Sequence, residues 1–501
     1  MISYINKAVG AKSLSIILLL LLMLSACKDA WKSEELATET ALDRNLMQQI
    51  AQNPDLSRFT ALLRQVHYDA LLEASKTYTV WAPTNDALAH VSQELLADTA
   101  WLKVFLGFHI AGQRHMAQQQ EQIVRVQTIS GKMVHFDQQY VEQVAMTEKD
   151  QLVANGVLHI ISEVLLPKEN IWQWITHFQE KGQQQQYIES LWGPQFDRNA
   201  STQIGVNEEG LPIYDSVFTL QNSYLNQVAD LSDEKKEFTY LILDDAAFEQ
   251  ETSQLAKFFV DTTAELSAYR THWNVVKDLV IAGKVTPDMF DQTLYSIKDS
   301  MTLRLHQADM VQQFEASNGM VYVVSKLDDD IHTKIKPIIV EGESPVEVRD
   351  GKSITRRTRV DPNGVVFRDL LLQNHGVNGM WVRYFPQVYS GTYNVYWRVI
   401  RDADLILTPA AGAADLVHFP MKVTWGDDPL TSPSTPGLGY IQEPVINQGD
   451  GTFSPNYEEQ LIGQLTVDLY GRISIYLVGN TSTTNGQNTL LLDYLKLEPV
   501  Y

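Results

Sequence analysis

The sequence predicts a mixed α+β region in two successive units, followed by an all-β sandwich. Three observations predict it. Length is the first: 501 residues with 44% hydrophobic and 10% aromatic content exceed one ordinary core and divide into about three domains of 100–200 residues. The second is that strand-like runs alternate with helical spacing up to about residue 333, with related segments occurring twice. Beyond that point, short apolar alternations separated by Gly, Pro, Asn and Asp replace the helical pattern.

The N-terminus comes first. Lys7 and Lys12 precede an almost wholly aliphatic run, Leu14 to Leu24, and "LSAC" occupies 24–27. That run is too short for a stable membrane span and reads as a signal peptide over 1–26. Cys27 is the one cysteine of the chain, so no intramolecular disulfide forms and this thiol needs its own explanation. "LSAC" resembles a bacterial lipobox. The resemblance implies that Cys27 becomes the acylated first residue of a lipoprotein, anchored by several acyl chains. Lys28 and Asp29 are compatible with outer-membrane sorting and display at the cell surface of Bacteroidetes-like bacteria. A tether follows over 27–40.

From 41 to 74, Leu56, Phe59, Leu62, Leu63 and Val66 recur at helical spacing, interrupted by Asn53-Pro54. "TYTVWAPTNDAL" (77–88) then alternates as a strand with Tyr78 and Val80 on one face and Thr77, Thr79 and Trp81 on the other. Pro83 ends the strand, Thr84 is an N-cap, and Asp86 falls where a helix dipole favours negative charge. This corner needs no chemistry to explain it. "WLKVFLGFHIAG" (101–112) predicts an apolar helix carrying His109. "NGVLHIISEVLLP" (155–167) predicts a strand opened by an Asn155-Gly156 hairpin turn and ended at Pro167.

These segments resemble the fasciclin domain over roughly 41–167. Thr79, Ala82, Pro83, Thr84, Asn85 and Asp86 match its first motif. Phe108-His109 stands for its Tyr-His pair, and Asn155, Gly156 and His159 match its last motif. A degenerate copy is expected over 168–333. There "FTYLILDDAAF" (238–248) has Leu243-Asp244 for Pro-Thr, and "SNGMVYVVSKL" (317–327) has Tyr322 for His. An excursion over 179–237 contains a hairpin around "NEEGLPIYDSVFTL", and surface insertions of this kind are where binding loops arise.

In the third region, 334–501, "SGTYNVYWRVI" (390–400) places Tyr393, Val395, Trp397 and Val399 on one face. With "IIVEGE" and "LLLDYLKLEPV" it resembles jelly-roll, galactose-binding-like carbohydrate modules. The resemblance implies a structural calcium held by Glu341, Glu343 and Asp493, although three carboxylates do not complete six to eight oxygen ligands. Trp425, Tyr440 and Tyr457 lie in loop-like contexts and are the candidate ligand platform, since sugars are bound on flat apolar faces beside polar groups.

A net charge of −22, from 39 Lys+Arg against 61 Asp+Glu, disfavours nucleic acid as a partner. No nucleophile elbow, zincin, P-loop or dinucleotide signature occurs in the chain, and the one cysteine is assigned to lipid. His109 and His159, flanked by apolar residues, read as satisfied core histidines. A glycoside hydrolase would need paired carboxylates, yet Asp427-Asp428 and Glu458-Glu459 are adjacent and face opposite ways on a strand. The expectation is a non-enzymatic surface lipoprotein acting in adhesion or assembly, which the fasciclin resemblance implies. Its terminal domain would bind a glycan or a surface protein. The alternative is an accessory glycan-binding subunit of a TonB-dependent nutrient-uptake complex.

Overall fold

The computed structural model describes residues 43–177, 181–402, 405–409, 411, 415–430, 439–480 and 489–501. The signal peptide, Cys27, Lys28, Asp29 and the tether lie outside the described residues. Chain contacts gather into two units. One holds residues up to His177 with two returning segments, Leu231–Glu237 and Glu315–Met320; the other holds the remainder.

The first unit begins with helices α1 (Leu46–Gln52), α2 (Ser57–Gln65) and α3 (Tyr68–Glu73), with Asn53 capping the turn between the first two. Strand β1 (Tyr78–Pro83) leads into α4 (Asn85–Ala89), α5 (Gln93–Ala97) and α6 (Thr99–Phe108). Strands β2 (Ile110–Ala111), β3 (Val124–Gln127), β4 (Met133–Phe136), β5 (Tyr140–Val141), β6 (Val144–Val153) and β7 (Gly156–Ile161) complete a sheet ordered β2-β1-β7-β6-β5-β4-β3. β1 lies centrally, parallel to β7 and antiparallel to β2, so every residue of it is buried. Its alternation divides two cores. Tyr78, Val80 and Ala82 join Phe59, Leu63, Phe105 and Leu106 from the helices, whereas Trp81 joins Val126, Phe136, Met146 and Ile161 on the other side.

Helix α7 (Ile171–His177) and the returning segments meet at the buried Lys132. Its ammonium donates to Glu234 Oε1 at 2.8 Å, Gln173 Oε1 at 3.2 Å and Ser317 Oγ at 3.2 Å, satisfying a cation that would otherwise be costly to bury.

The second unit starts with α8 (Gln183–Ser190), strands β8 (Trp192–Phe196), β9 (Thr202–Val206), β10 (Pro212–Asp215) and β11 (Phe218–Asn222), and α9 (Ser223–Gln227). The expected hairpin is nested: β9 pairs β10, and β8 pairs β11. Next come β12 (Phe238–Leu243), α10 (Asp245–Leu255), α11 (Ala264–Val276), β13 (Val280–Ala282), β14 (Leu294–Tyr295), β15 (Thr302–Arg304), β16 (Met310–Ala316), β17 (Gly319–Val324), β18 (Asp328–Asp329) and α12 (Ile331–Lys334). The sheet order β13-β12-β17-β16 repeats β2-β1-β7-β6 of the first unit, which is the same topology built from a diverged sequence.

The final region stacks two four-stranded antiparallel sheets. One orders Ile338–Glu341, Tyr494–Pro499, Gly391–Arg398 and Gln460–Val467; the other orders Glu347–Val348, Trp381–Tyr384, Ile475–Gly479 and Met421–Trp425. Tyr393, Val395 and Trp397 point inward with Leu465, Leu477, Leu495 and Leu497, as the alternation predicts. The observed fold class, α+β fasciclin-like followed by a β-sandwich, is the predicted one.

Candidate functional site

The fasciclin motif residues converge around the central strands of the first sheet. Thr79 Oγ1 donates to Gln113 O at 2.7 Å and accepts from His115 N at 2.8 Å, closing the loop after β2. Ala82 is fully buried in the helical core. Pro83 ends β1, and Thr84 caps α4 by accepting from Ala87 N at 3.2 Å. Asn85 reaches back to α2: its Oδ1 accepts from Arg58 N at 2.9 Å, and its Nδ2 donates to Pro54 O and Ser57 Oγ. Asp86 is exposed in the first turn of α4.

Asn155 does not occupy the turn that sequence assigned to Asn155-Gly156. Val153 pairs with Gly156, so the two-residue loop is Ala154-Asn155 and Gly156 already belongs to β7. The Asn155 side chain turns inward. It accepts from Leu46 N at 2.7 Å and donates to Leu72 O at 2.7 Å and Ala74 O at 2.8 Å, joining α1, the end of α3 and the start of β7. Gly156 allows this approach, since a Cβ there would collide with Tyr78 O and stand 2.8 Å from Leu46 Cδ1.

Both motif histidines are fully buried. His109 Nδ1 donates to Phe105 O at 2.8 Å and Nε2 accepts from Leu165 N at 3.0 Å, so the neutral ring links α6 to the segment after β7. His159 accepts from Asp150 N at 3.3 Å through Nδ1 and donates from Nε2 to His115 O at 3.1 Å. Burial pushes the His109 pKa down from 6.5 to about 4 and lowers that of His159 in the same direction. The unfolded chain then binds more protons than the folded one between pH 6.5 and about 4. The contribution of His109 is complete above 6.5 and falls with acidification toward 4, by about 1.4 kcal/mol per unit. His109→Gln is expected to flatten the acid limb of a stability–pH profile while lowering stability at pH 7; an unchanged limb in denaturant titrations would contradict the assignment.

A second network of the same kind is built from other residues. Thr239 Oγ1 donates to Gly283 O and accepts from Val285 N, as Thr79 does with its own loop. Asp244 replaces Thr84 as cap, accepting from Ala247 N at 2.8 Å. Asn318 accepts from Ile171 N and donates to Leu231 O and Asp233 O, the pattern of Asn155. Tyr322 OH donates to Val285 O at 2.8 Å, where His159 donates to His115 O. Leu279 stands at the position of His109, each carbonyl accepting from the central strand at 2.9 Å.

In the sandwich the calcium expectation is corrected. Among the described residues no group of three or more His, Cys, Asp or Glu side chains is placed to hold a metal ion. Asp493 is buried and committed to Arg398, whose Nη1 donates to it at 2.5 Å; burial still lifts its pKa to about 6. Glu341 is exposed, and burial together with Glu343 raises its pKa. Glu343 Oε2 is buried without a hydrogen-bond partner, a single oxygen that does not make a site. A guanidinium supplies the positive charge that the ion would have supplied.

Trp425, Tyr440 and Tyr457 do not share a face. Trp425 closes the strand Met421–Trp425, pairs in register with Ile475 and packs on the core. Tyr440 lies by the other end of that strand, its ring 5.3 Å from Lys422 Nζ and its hydroxyl bonded to Gly479 O. Tyr457 lies in the loop before the strand Gln460–Val467 of the other sheet, and its carbonyl accepts from Arg398 Nε.

Sequence reasoning missed the outer face of the first sandwich sheet. There Tyr396 lies 4.4 Å from Lys496 Nζ, Gln464 donates to Asn394 Oδ1 at 3.0 Å, and Glu459 accepts from Tyr494 OH at 2.7 Å and pairs with Lys496. The alternation that put Tyr393, Val395 and Trp397 inward already put Asn394 and Tyr396 outward. Held this way, Glu459 keeps a lowered pKa, which suits a hydrogen-bond acceptor and not a general acid.

The Fasciclin domain family model matches residues 54–167. Stabilin-2 of Mus musculus is 26% identical over 133 residues, 25% of this chain and 5% of that protein, so the chain spans a small fraction of this relative. A solved FAS1 domain pair from the insect cell adhesion molecule Fasciclin I aligns over 58% of this chain and 97% of its own, at 13% identity and TM-score 0.21. A Podospora anserina GH26-CBM35 β-(1,4)-mannanase aligns over 33% of this chain and 28% of its own, at 14% identity and TM-score 0.20. Scores this low carry no argument. The family match and the motif residues described above fall on the same stretch, residues 54–167.

Proposed function

We propose that the protein is a lipid-anchored, surface-exposed outer-membrane protein that acts in adhesion or assembly and not in catalysis. One observation carries this reading: in a matched fasciclin domain, both motif histidines, Thr79, Asn85 and Asn155 spend their polar atoms on internal bonds. Function is thereby left to surfaces. Among the described residues no helix is long and apolar enough to cross a membrane, and Cys27 supplies the anchor in this account. Metabolic labelling with palmitate is expected to mark the full chain and to fail for Cys27→Ser, which is released from the membrane fraction. Membrane retention of Cys27→Ser would contradict the anchor.

A second reading, an accessory glycan-binding subunit beside a TonB-dependent transporter, is favoured by the outer sandwich face. Tyr396 offers an aromatic surface beside amides and a carboxylate, the chemistry that holds a sugar ring. On this reading Tyr396→Ala weakens glycan binding at least about tenfold, near 1.4 kcal/mol, while Trp425→Ala leaves it unchanged. Binding lost in Trp425→Ala alone would move the site to the loops.

A further inference from the structure

The ribbon formed by β8 to β11 carries more exposed apolar surface than its size explains. In β8 and β11, Phe196 stands opposite Phe218 and Pro194 opposite Leu220, while Gln195 stands opposite Thr219 and Gly193 opposite Gln221. Directly paired residues share a face. One face is therefore apolar and the other polar. Phe218 is 59% exposed and Leu220 69%. In the distal hairpin Val206, 62% exposed, stands opposite Pro212, which alternates with Tyr214, and the Tyr214 ring packs edge-on against Phe196 at 5.4 Å, so the apolar face continues there.

A free two-stranded ribbon is marginal in water, and among the described residues each of these four strands hydrogen-bonds to one other strand only. Apolar patches larger than a few hundred Å² mark interaction surfaces. We propose that this ribbon is a dimerisation arm, whose apolar face packs on the same face of a second copy of the chain.

Three arguments select a second copy. The exposed parts of these side chains leave on the order of 500 Å² of apolar surface on the ribbon, so two copies together bury about 1,000 Å², the size at which a specific interface begins. A two-fold axis makes such a face complementary to itself. Antiparallel packing of the two ribbons also sends the tip carboxylates, Glu208 and Glu209, to opposite ends, so like charges do not meet. Those same carboxylates at the tip oppose insertion into a lipid surface. The proposal uses none of the residues invoked for adhesion or glycan binding and stands apart from both readings.

Sedimentation equilibrium of the detergent-solubilised full chain tests it. The wild-type chain is expected at twice the monomer mass. Phe218→Asp with Leu220→Asp is expected to weaken association at least about 100-fold, the milder Leu220→Gln about tenfold, and Gln195→Asp on the polar face not at all. All three positions are exposed, and circular dichroism of each variant verifies the fold. A wild-type monomer at every concentration overturns the proposal, as does a dimer indifferent to the apolar-face variants. A Cys27→Ser chain that is monomeric and floats with phosphatidylcholine vesicles overturns it in favour of a lipid surface.

Discussion

Gly156→Ala is expected to abolish stable folding of the first unit. A Cβ at this position meets Tyr78 O, a backbone atom held in a parallel ladder that runs from Tyr78–Gly156 to Pro83–Ile161. A flexible side chain would swing away; a central strand does not. Relief requires β1 and β7 to separate, and the two cores divided by β1 to open with them. The cost is about 4–5 kcal/mol, the range kept for severe backbone or packing conflicts, and it removes much of the 5–15 kcal/mol that holds a typical domain. Thermal melts followed by circular dichroism check this. A variant melting within a few degrees of wild type would mean that the ladder yields where this account holds it fixed.

Asn155→Ala is expected to cost nearly as much, about 3–5 kcal/mol, because it strands one buried N–H and two carbonyls at once, each worth 1–3 kcal/mol when left unpaired. Leu46 N, Leu72 O and Ala74 O lose their partner. Asn318→Ala should destabilise by a similar amount, exposing Ile171 N, Leu231 O and Asp233 O. Denaturant unfolding of both variants compares them directly. Equal losses support two repeats built on one plan, whereas a neutral Asn318→Ala would reduce the second network to coincidence.

What was legible in the sequence follows the range of the interactions. The corner at Pro83-Thr84 could be read because its cap bond spans three residues. The burial of the two histidines could be read from their apolar neighbours. Asn155 was misread as a surface turn because its partners lie 109 and 83 residues away, and no local pattern announces them. The repeat is visible in apolar spacing, but the exchange of His159 for Tyr322 makes sense only once each is seen to donate to the corresponding loop carbonyl of its own repeat, His115 O and Val285 O.

The sandwich shows the same limit. Glu341, Glu343 and Asp493 were found at matching positions, yet Arg398, 95 residues before Asp493 in the chain, decides its role. The platform residues were chosen for loop-like context. Trp425 in fact lies in a strand and Tyr440 and Tyr457 in separate loops, while Tyr396, on the outward face of the strand that carries Trp397, has no loop-like context to mark it. In the ribbon, Gly193 and Pro194 blurred an alternation that pairing with β11 makes plain.

Adhesion at the cell surface is the central claim, and counting adherent cells tests it most directly. Cells displaying the full wild-type chain should bind a host matrix or neighbouring cells many-fold more than cells expressing Cys27→Ser, with a Tyr396→Ala variant that remains folded isolating the contribution of the outer sandwich face. Equal adherence with and without the anchored chain would contradict the account.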